Sequence, residues 1–471
     1  MSVRPTADQV RMMERRYGMF VTYGMNTYLD VEWSEGKVGV EAFDPPGDLA
    51  EKVDGWAALA KAAGMRYLLY VTKHHDGFCT WPTKWTDYHS CVSGVKHKVD
   101  VVGAVAEACR RHGIELALYY SIWDRHELSY RDADKYRYIK WMKGQLRELL
   151  TQYGEVCELW LDGQWDRKCE EWYLPEVYGF VKGLQPGCQV GVNHTVDKMP
   201  GLQREGGVMS YWPSDFRLYD PYLPAANDPK IFVDGQGRRV YLPFEATVTM
   251  SPVGNWFAHE GDPLAMEVEW MEEILWRATQ GGNVLVMNVS PRKDGTIFEA
   301  TRRNLMSLAE RVGLKDAKFP ELREPKSLTF GADARASSWM ENELRDGRAE
   351  CAVDGDPQTA WMCGQPTGRL EVMLRKPGRF NQVVLVESTR ARIGRFTIEA
   401  EIGGKWEEIY RGDGVSDPDV PTPSFGEKGH ATLSLGREVV AEKVRVNVLS
   451  SAANAEKKAM PGIYRVGLCQ E

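Results

Sequence analysis

The chain has 471 residues and a net charge of −8, with 59 Lys and Arg against 67 Asp and Glu. That length exceeds one ordinary hydrophobic core and predicts two domains. The acidic balance, without a basic block or tail, excludes an electrostatic footprint for nucleic acid, and no such partner is expected.

In chain order, short apolar runs alternate with helical patterns from Tyr17 to about Leu314. Strands are predicted at Tyr17–Tyr23, Met65–Val71, Glu115–Ser121, Val156–Asp162, Gln189–Asn193, Val208–Trp212, Glu245–Met250 and Asn283–Val289. Amphipathic helices lie between several of them, such as Asp54–Gly64 and Asp100–Gly113, each ending in a Gly stop. Eight strands with helical crossovers predict an α/β fold, a (β/α)8 TIM-like barrel over residues 1–315. A doubly wound sheet is the alternative, but no Gly-rich phosphate loop follows the first strand. Residues 316–326, charged and punctuated by Pro320 and Pro325, read as a linker. Beyond it the helical period disappears. Arg369–Arg375, Phe380–Ser388, Arg395–Ile402 and Glu442–Ser450 alternate between Gly and Pro breaks, so 327–471 is predicted to be an antiparallel β-sandwich.

No apolar run approaches a membrane span, and Met1–Asp8 is not a signal peptide, so no membrane insertion is expected. The compartment stays open: periplasmic or secreted if a leader has been removed, cytoplasmic otherwise. The nine cysteines, without a C-x-x-C pair or regular spacing, predict reduced, buried thiols. Sixteen Trp and 20 Tyr suggest carbohydrate contact, although aromatics more often fill cores.

The most telling segment is TKHHDGFCTWPTKWT, Thr72–Thr86, at the carboxyl end of a strand without a polar face. His74, His75 and Asp76, followed by Trp81 and Trp85, are what a sugar pocket requires. Polar groups hold hydroxyls, and aromatic faces cover the C–H side of the ring. A strand-capping His pair is the bland reading. A zinc site is disfavoured because neighbouring strand residues point to opposite faces, and no metal is expected there. A second strand end carries Asp162, two residues after Trp160 and therefore on the same side. A carboxylate there serves chemistry more often than stability, with a helix N-cap as the alternative.

These residues resemble glycoside hydrolase family 29, the retaining α-L-fucosidases. The resemblance spans the barrel and rests on YGMFVTYGMNTY, VEW, TKHHDGFCTWP, LYYSIWDRH, ELWLDG and GGNVLVMNVSPRKDG. It looks closer to the α-1,3/1,4-fucosidase branch. The segments from Ala336 to Met362 and GIYRVGLC are similar to discoidin-like (F5/8 type C) carbohydrate-binding modules.

The resemblance implies Asp162 as the nucleophile and His74 and His75 as readers of the fucose hydroxyls. Trp160, Tyr119, Glu32 and Trp33 match other pocket positions. Glu205, 43 residues after Asp162, fits the acid/base, with Glu245 as its rival. Two departures stand out. Thr22 occupies a position where the family usually has His, and Thr195 one where Arg is usual; both changes suggest altered substrate choice. The resemblance therefore implies a retaining exo-glycosidase that removes terminal α-L-fucose, or a sugar of the same ring stereochemistry, from a glycan. The alternatives are an α-L-galactosidase or β-D-arabinopyranosidase, or a catalytically weak carbohydrate-binding protein. No cofactor is required. Some discoidin-like modules hold calcium, and Asp346, Asp354 and Asp356 beside Gly355 are compatible ligands, though Asp-Gly turns need no metal.

Overall fold

The computed structural model describes residues 3–470 apart from 226, 262–264, 316–317, 326–327, 341–346, 390, 416–427 and 454–459. Its N-terminal part is a closed barrel of eight parallel strands. They are β1 (Tyr17–Val21), β2 (Tyr67–Lys73), β3 (Glu115–Ser121), β4 (Glu158–Asp162), β5 (Gln189–Val192), β6 (Phe216–Leu218), β7 (Phe244–Thr249) and β8 (Val284–Asn288). Each strand pairs with its neighbours in chain order, and β8 closes on β1 with Tyr17 opposite Leu285. Every residue of β1, β2, β4, β5, β7 and β8 is buried, as runs without a polar face require.

The crossover helices end where the sequence marks them. In Val101–His112 the Asp100 carboxylate accepts from the Gly103 N–H at 2.8 Å, and Gly113 closes the helix at φ 62°.

The sixth strand is not the predicted one. Val208–Trp212 forms no strand, and Val208 is exposed. Its place is taken by Phe216–Leu218, a three-residue strand centred on a charge. Arg217 is fully buried there and donates to Asp228 at 2.7 Å and to Gln203 at 2.6 Å. A compensated guanidinium in so short a run breaks the apolar signal on which strand prediction depends.

The described residues divide into two compact units. One comprises Met1–Met250, Trp256–Ala265 and Arg277–Glu321; the other comprises Ser251–Asn255, Met266–Trp276 and Leu322–Glu471. The second unit is an antiparallel sandwich around a core that includes Trp361, Phe380, Phe396, Ile398 and Val446. Two segments predicted as separate strands form one, Gly368–Ser388, with register shifts between Met373 and Gly378 and between Phe380 and Gln382. Bulges bend a long strand without ending it. Within this unit Arg465 pairs with Glu273 at 2.6 Å, and His430 contacts Glu267. All nine cysteines are free thiols. Among the described residues, no helix is long and apolar enough to cross a membrane.

Candidate active site

The carboxyl ends of the barrel strands converge on Asp162, the last residue of β4, which is 5% exposed. Both of its oxygens are held. Tyr119 on β3 donates its phenol to Oδ2 at 2.5 Å, and Asn193, just after β5, donates to Oδ1 at 2.9 Å. Burial and the nearby Asp220 carboxylate nevertheless push the Asp162 pKa up to about 6. The next residue must be glycine. Gly163 has φ 83°, and a Cβ there would lie 2.6 Å from Cβ of Trp123.

His74 and His75 follow β2, and their ring centroids are 4.1 Å apart. The expected opposite orientation does not hold, because β2 ends at Lys73 and the two residues lie beyond its alternation. Their tautomers follow from their partners. Asn26 donates its Nδ2 to Nδ1 of His74 at 3.1 Å, which leaves Nε2 of His74 as the N–H. Ser121 gives its only hydrogen to the Trp123 carbonyl at 2.6 Å, so Nδ1 of His75, 2.7 Å from that hydroxyl, must carry a proton. Burial first, then the charge of Arg125, depresses His74 to about 3. Burial, His74 and Arg125 together depress His75 well below the usual imidazole range. Both rings are neutral at pH 7. Nε2 of His75 faces Oδ2 of Asp162 at 3.7 Å. With Asp162 ionised both are acceptors, so a hydroxyl entering between them can donate to either.

Aromatic rings floor and rim this site. Phe20 lies 5.7 Å from Tyr119, 5.8 Å from Trp160 and 6.1 Å from Trp256. Trp33 packs edge-on to His75 at 5.1 Å and lies near-parallel to Trp165 at 6.2 Å. Arg125 covers Trp123 at 4.3 Å and Trp33 at 5.2 Å. Neutral imidazoles, a buried carboxylate and apolar ring faces suit a neutral polyol with one hydrophobic side.

A family model for alpha-L-fucosidase matches residues 6–313, and one for the F5/8 type C domain matches residues 333–460. The chain belongs to the alpha-L-fucosidase family. It is a glycoside hydrolase with a discoidin-like C-terminal domain. It is 27% identical to Alpha-L-fucosidase 1 of Arabidopsis thaliana over 88% of this chain and 80% of that protein. With the tissue alpha-L-fucosidase of Mus musculus it shares 26% identity over 55% of this chain and 54% of that one. Among solved structures, alpha-L-fucosidase isoenzyme 1 from Paenibacillus thiaminolyticus superposes with a TM-score of 0.55 at 20% identity, covering 95% of this chain and 100% of that one. A Ruminococcus gnavus family 29 fucosidase in complex with fucose gives 0.50 at 19% identity, covering 100% and 95%.

Around this site, several residues singled out in the sequence are held by partners within the protein. Glu32 is 2% exposed and binds a loop rather than open space. It accepts from the backbone N–H of Trp256 at 2.9 Å and of Phe257 at 3.1 Å, and from His259 at 2.8 Å. The Thr22 hydroxyl donates to the Trp256 carbonyl, which Asn288 and Ser290 also serve. The Thr195 hydroxyl donates to the Val192 carbonyl at 2.6 Å and accepts from the Leu218 N–H at 3.1 Å, tying β5 to β6. Trp160 turns its N–H downward to Glu245 at 3.0 Å.

Neither predicted acid/base touches Asp162. Glu205 is 56% exposed on a loop, 3.3 Å from the Ile231 N–H and 3.7 Å from Arg239. Glu245 is buried near the opposite, amino end of the barrel. There it accepts from Tyr67 at 2.7 Å, and it shares its surroundings with Glu158, the first residue of β4. Four steps along the strand separate Glu158 from Asp162, roughly 13 Å. Trp81 and Trp85 also leave the pocket. Trp81 donates to Glu148 at 3.0 Å, and Trp141 donates to the Trp85 carbonyl at 2.8 Å, both on helix Lys135–Gln152. The mouth aromatics are Trp33, Trp123 and Trp165 instead.

The sequence missed Asn193, Ser121, Trp256 and Asp220. The last follows the unrecognised β6, so nothing marked it as a strand-end carboxylate. In the second unit, Asp354 accepts from the Asp356 N–H at 2.9 Å, and Asp356 from the Gln358 N–H at 2.9 Å. Asp346 lies outside the described residues. Among the described residues, no three His, Cys, Asp or Glu side chains converge as metal ligands would.

Proposed function

We propose that the protein is a retaining exo-glycosidase that cleaves terminal α-L-fucose, or a sugar of the same ring configuration, from glycans by double displacement, with Asp162 as nucleophile. One observation carries this reading. Asp162 is a buried strand-end carboxylate whose two oxygens are fixed by Tyr119 and Asn193, beside two neutral imidazoles and above an aromatic floor. Such a carboxylate can attack an anomeric carbon from a fixed direction. The bonds that hold it keep it ionised against its burial. His74 offers a donor and His75 an acceptor, a pair that reads vicinal hydroxyls by direction. In this reading the discoidin-like domain is a glycan-binding module.

Trapping with a 2-fluoro fucosyl donor followed by peptide mapping is expected to label Asp162. A label on any other carboxylate would overturn the assignment. A panel of nitrophenyl α-L-fucoside, α-L-galactoside and β-D-arabinopyranoside separates the sugars that share this ring. Binding of fucose without turnover of any of the three would leave only a lectin-like role.

A further inference from the structure

We propose that Asp220 is the acid/base carboxyl of this site, the partner of Asp162, in the role for which the sequence pointed to Glu205. The inference rests on the retaining reading above.

Asn193 carries it. Its Nδ2 donates one hydrogen to Oδ1 of Asp162 at 2.9 Å and the other to Oδ1 of Asp220. Its own oxygen accepts from the backbone N–H of His194 at 2.9 Å and of Asp220 at 3.4 Å. The amide cannot be turned around without aiming its oxygen at two carboxylates, so the orientation is fixed by chemistry. One oxygen of each carboxyl lies a single hydrogen bond from the same nitrogen, which holds the two about 5 Å apart. That matches the spacing of a retaining pair and falls short of the roughly 6.5–9.5 Å needed to admit a water in an inverting one.

The two carboxyls are not equivalent. Asp162 has Tyr119, Asn193 and the Gly163 N–H to stabilise its charge, while Asp220 has Asn193 and its own N–H. Burial pushes both up to about 6, and like charges at this separation resist joint ionisation. When the pair holds a single proton, the extra donors to Asp162 favour its charge and leave that proton on Asp220. Asp220 also sits beside an open rim. His194 stacks on Tyr219 at 4.4 Å, with Trp165, 39% exposed, 5.7 Å from His194. A leaving sugar has a platform there next to the proton donor.

In the first step an Asp162 oxygen forms a bond to C1 as the C1–O bond to the leaving group breaks, and the Asp220 proton passes to that leaving oxygen. In the second step ionised Asp220 takes a proton from water. The water oxygen bonds to C1, and Asp162 departs as a carboxylate.

The test compares wild type, D220N and E205Q on the dinitrophenyl glycoside that the wild type cleaves fastest and on the matching oligosaccharide, with and without azide. D220N retains an acceptor oxygen for Asn193 and so the local fold; D220A is the second variant. Expected for both is a loss of about 100-fold or more on the oligosaccharide, a far smaller loss on the dinitrophenyl glycoside, and azide rescue that yields the glycosyl azide of retained configuration. E205Q should stay within about threefold of wild type. The same signature on E205Q, or a uniform loss in the Asp220 variants with no azide product, overturns the proposal and leaves the retaining reading standing. Inversion of the first-formed wild-type product by NMR, or a wild type that turns over no glycoside, overturns the reading beneath it as well.

Discussion

The phenol of Tyr119 and the carboxylate of Asp162 meet at 2.5 Å, from adjacent barrel strands whose register sets Tyr119 opposite Trp160 and Ser121 opposite Asp162. The tyrosine donates, and its own ionisation is suppressed, first by burial and then by the aspartate charge. The bond favours ionised Asp162 against its burial and against Asp220. Tyr119→Phe removes this one donor. A hydrogen bond to a charged group is worth about 1.5–3 kcal/mol, so kcat/KM is expected to fall by roughly 10- to 100-fold. The sign of the pH effect is fixed as well. Losing a donor to the charged form raises the Asp162 pKa, and the acid limb of the kcat/KM profile moves to higher pH. His75, His194, Asn193 and Asp220 also face this carboxylate, and none of them is altered.

Glu245 is expected to be a structural residue. Its carboxyl accepts from both Tyr67 and Trp160 inside the barrel, and burial raises its pKa. Glu245→Ala strands two buried donors at about 1–3 kcal/mol each. The thermal midpoint should fall by several degrees, while kcat per folded molecule changes equally for good and poor leaving groups. A selective loss on poor leaving groups would restore it as the acid/base.

The loop Trp256–His259 gives a pH-dependent term in stability. Burial opposes a charge on His259, yet its contacts with Glu32 at 2.8 Å and Asp30 at 3.0 Å prevail and raise its pKa. Glu260 next along the loop faces Lys293 at 3.4 Å. A folded pKa above the unfolded value near 6.5 means that this contribution is full below pH 6.5 and fades as pH rises through the folded value. The wild type should therefore lose midpoint temperature over that rise. His259→Ala should lie lower at pH 6 and show a shallower slope. Parallel curves for the two proteins would show that the pair does no work.

What the sequence disclosed follows the length scale of each interaction. Strand runs such as Glu115–Ser121 and the end of β4 at Asp162 are local patterns, and they appear where expected. The family resemblance extended this to the pocket. Contacts across the chain stayed hidden. Glu32 meets Phe257 at a separation of 225 residues, and no local pattern distinguishes a carboxylate that reads a sugar from one that pins a loop. Thr22 is the same case, since its hydroxyl answers to a carbonyl 234 residues away. Trp81 and Trp165 are equally aromatic in sequence. Only packing against helix Lys135–Gln152 sends the first into the core and leaves the second at the mouth. Asp220 was lost for another reason, because buried Arg217 concealed the strand that presents it.

Helix Val268–Thr279 lies in sequence between β7 and β8, yet its residues through Trp276 cluster with the sandwich. Its Glu273 is 1% exposed and is neutralised by Arg465, and its neighbour Glu267 is met by His430. The second unit is thus not one continuous stretch of the sequence. A chain ended at Lys315 would keep Glu273 and Glu267 but discard Arg465 and His430, breaking the buried Arg465–Glu273 ion pair, a defect worth about 3–5 kcal/mol. That is a large part of a domain's whole margin of stability. Such a truncated protein should express as aggregate, and swapping the C-terminal domain between relatives should succeed only when the helix travels with it.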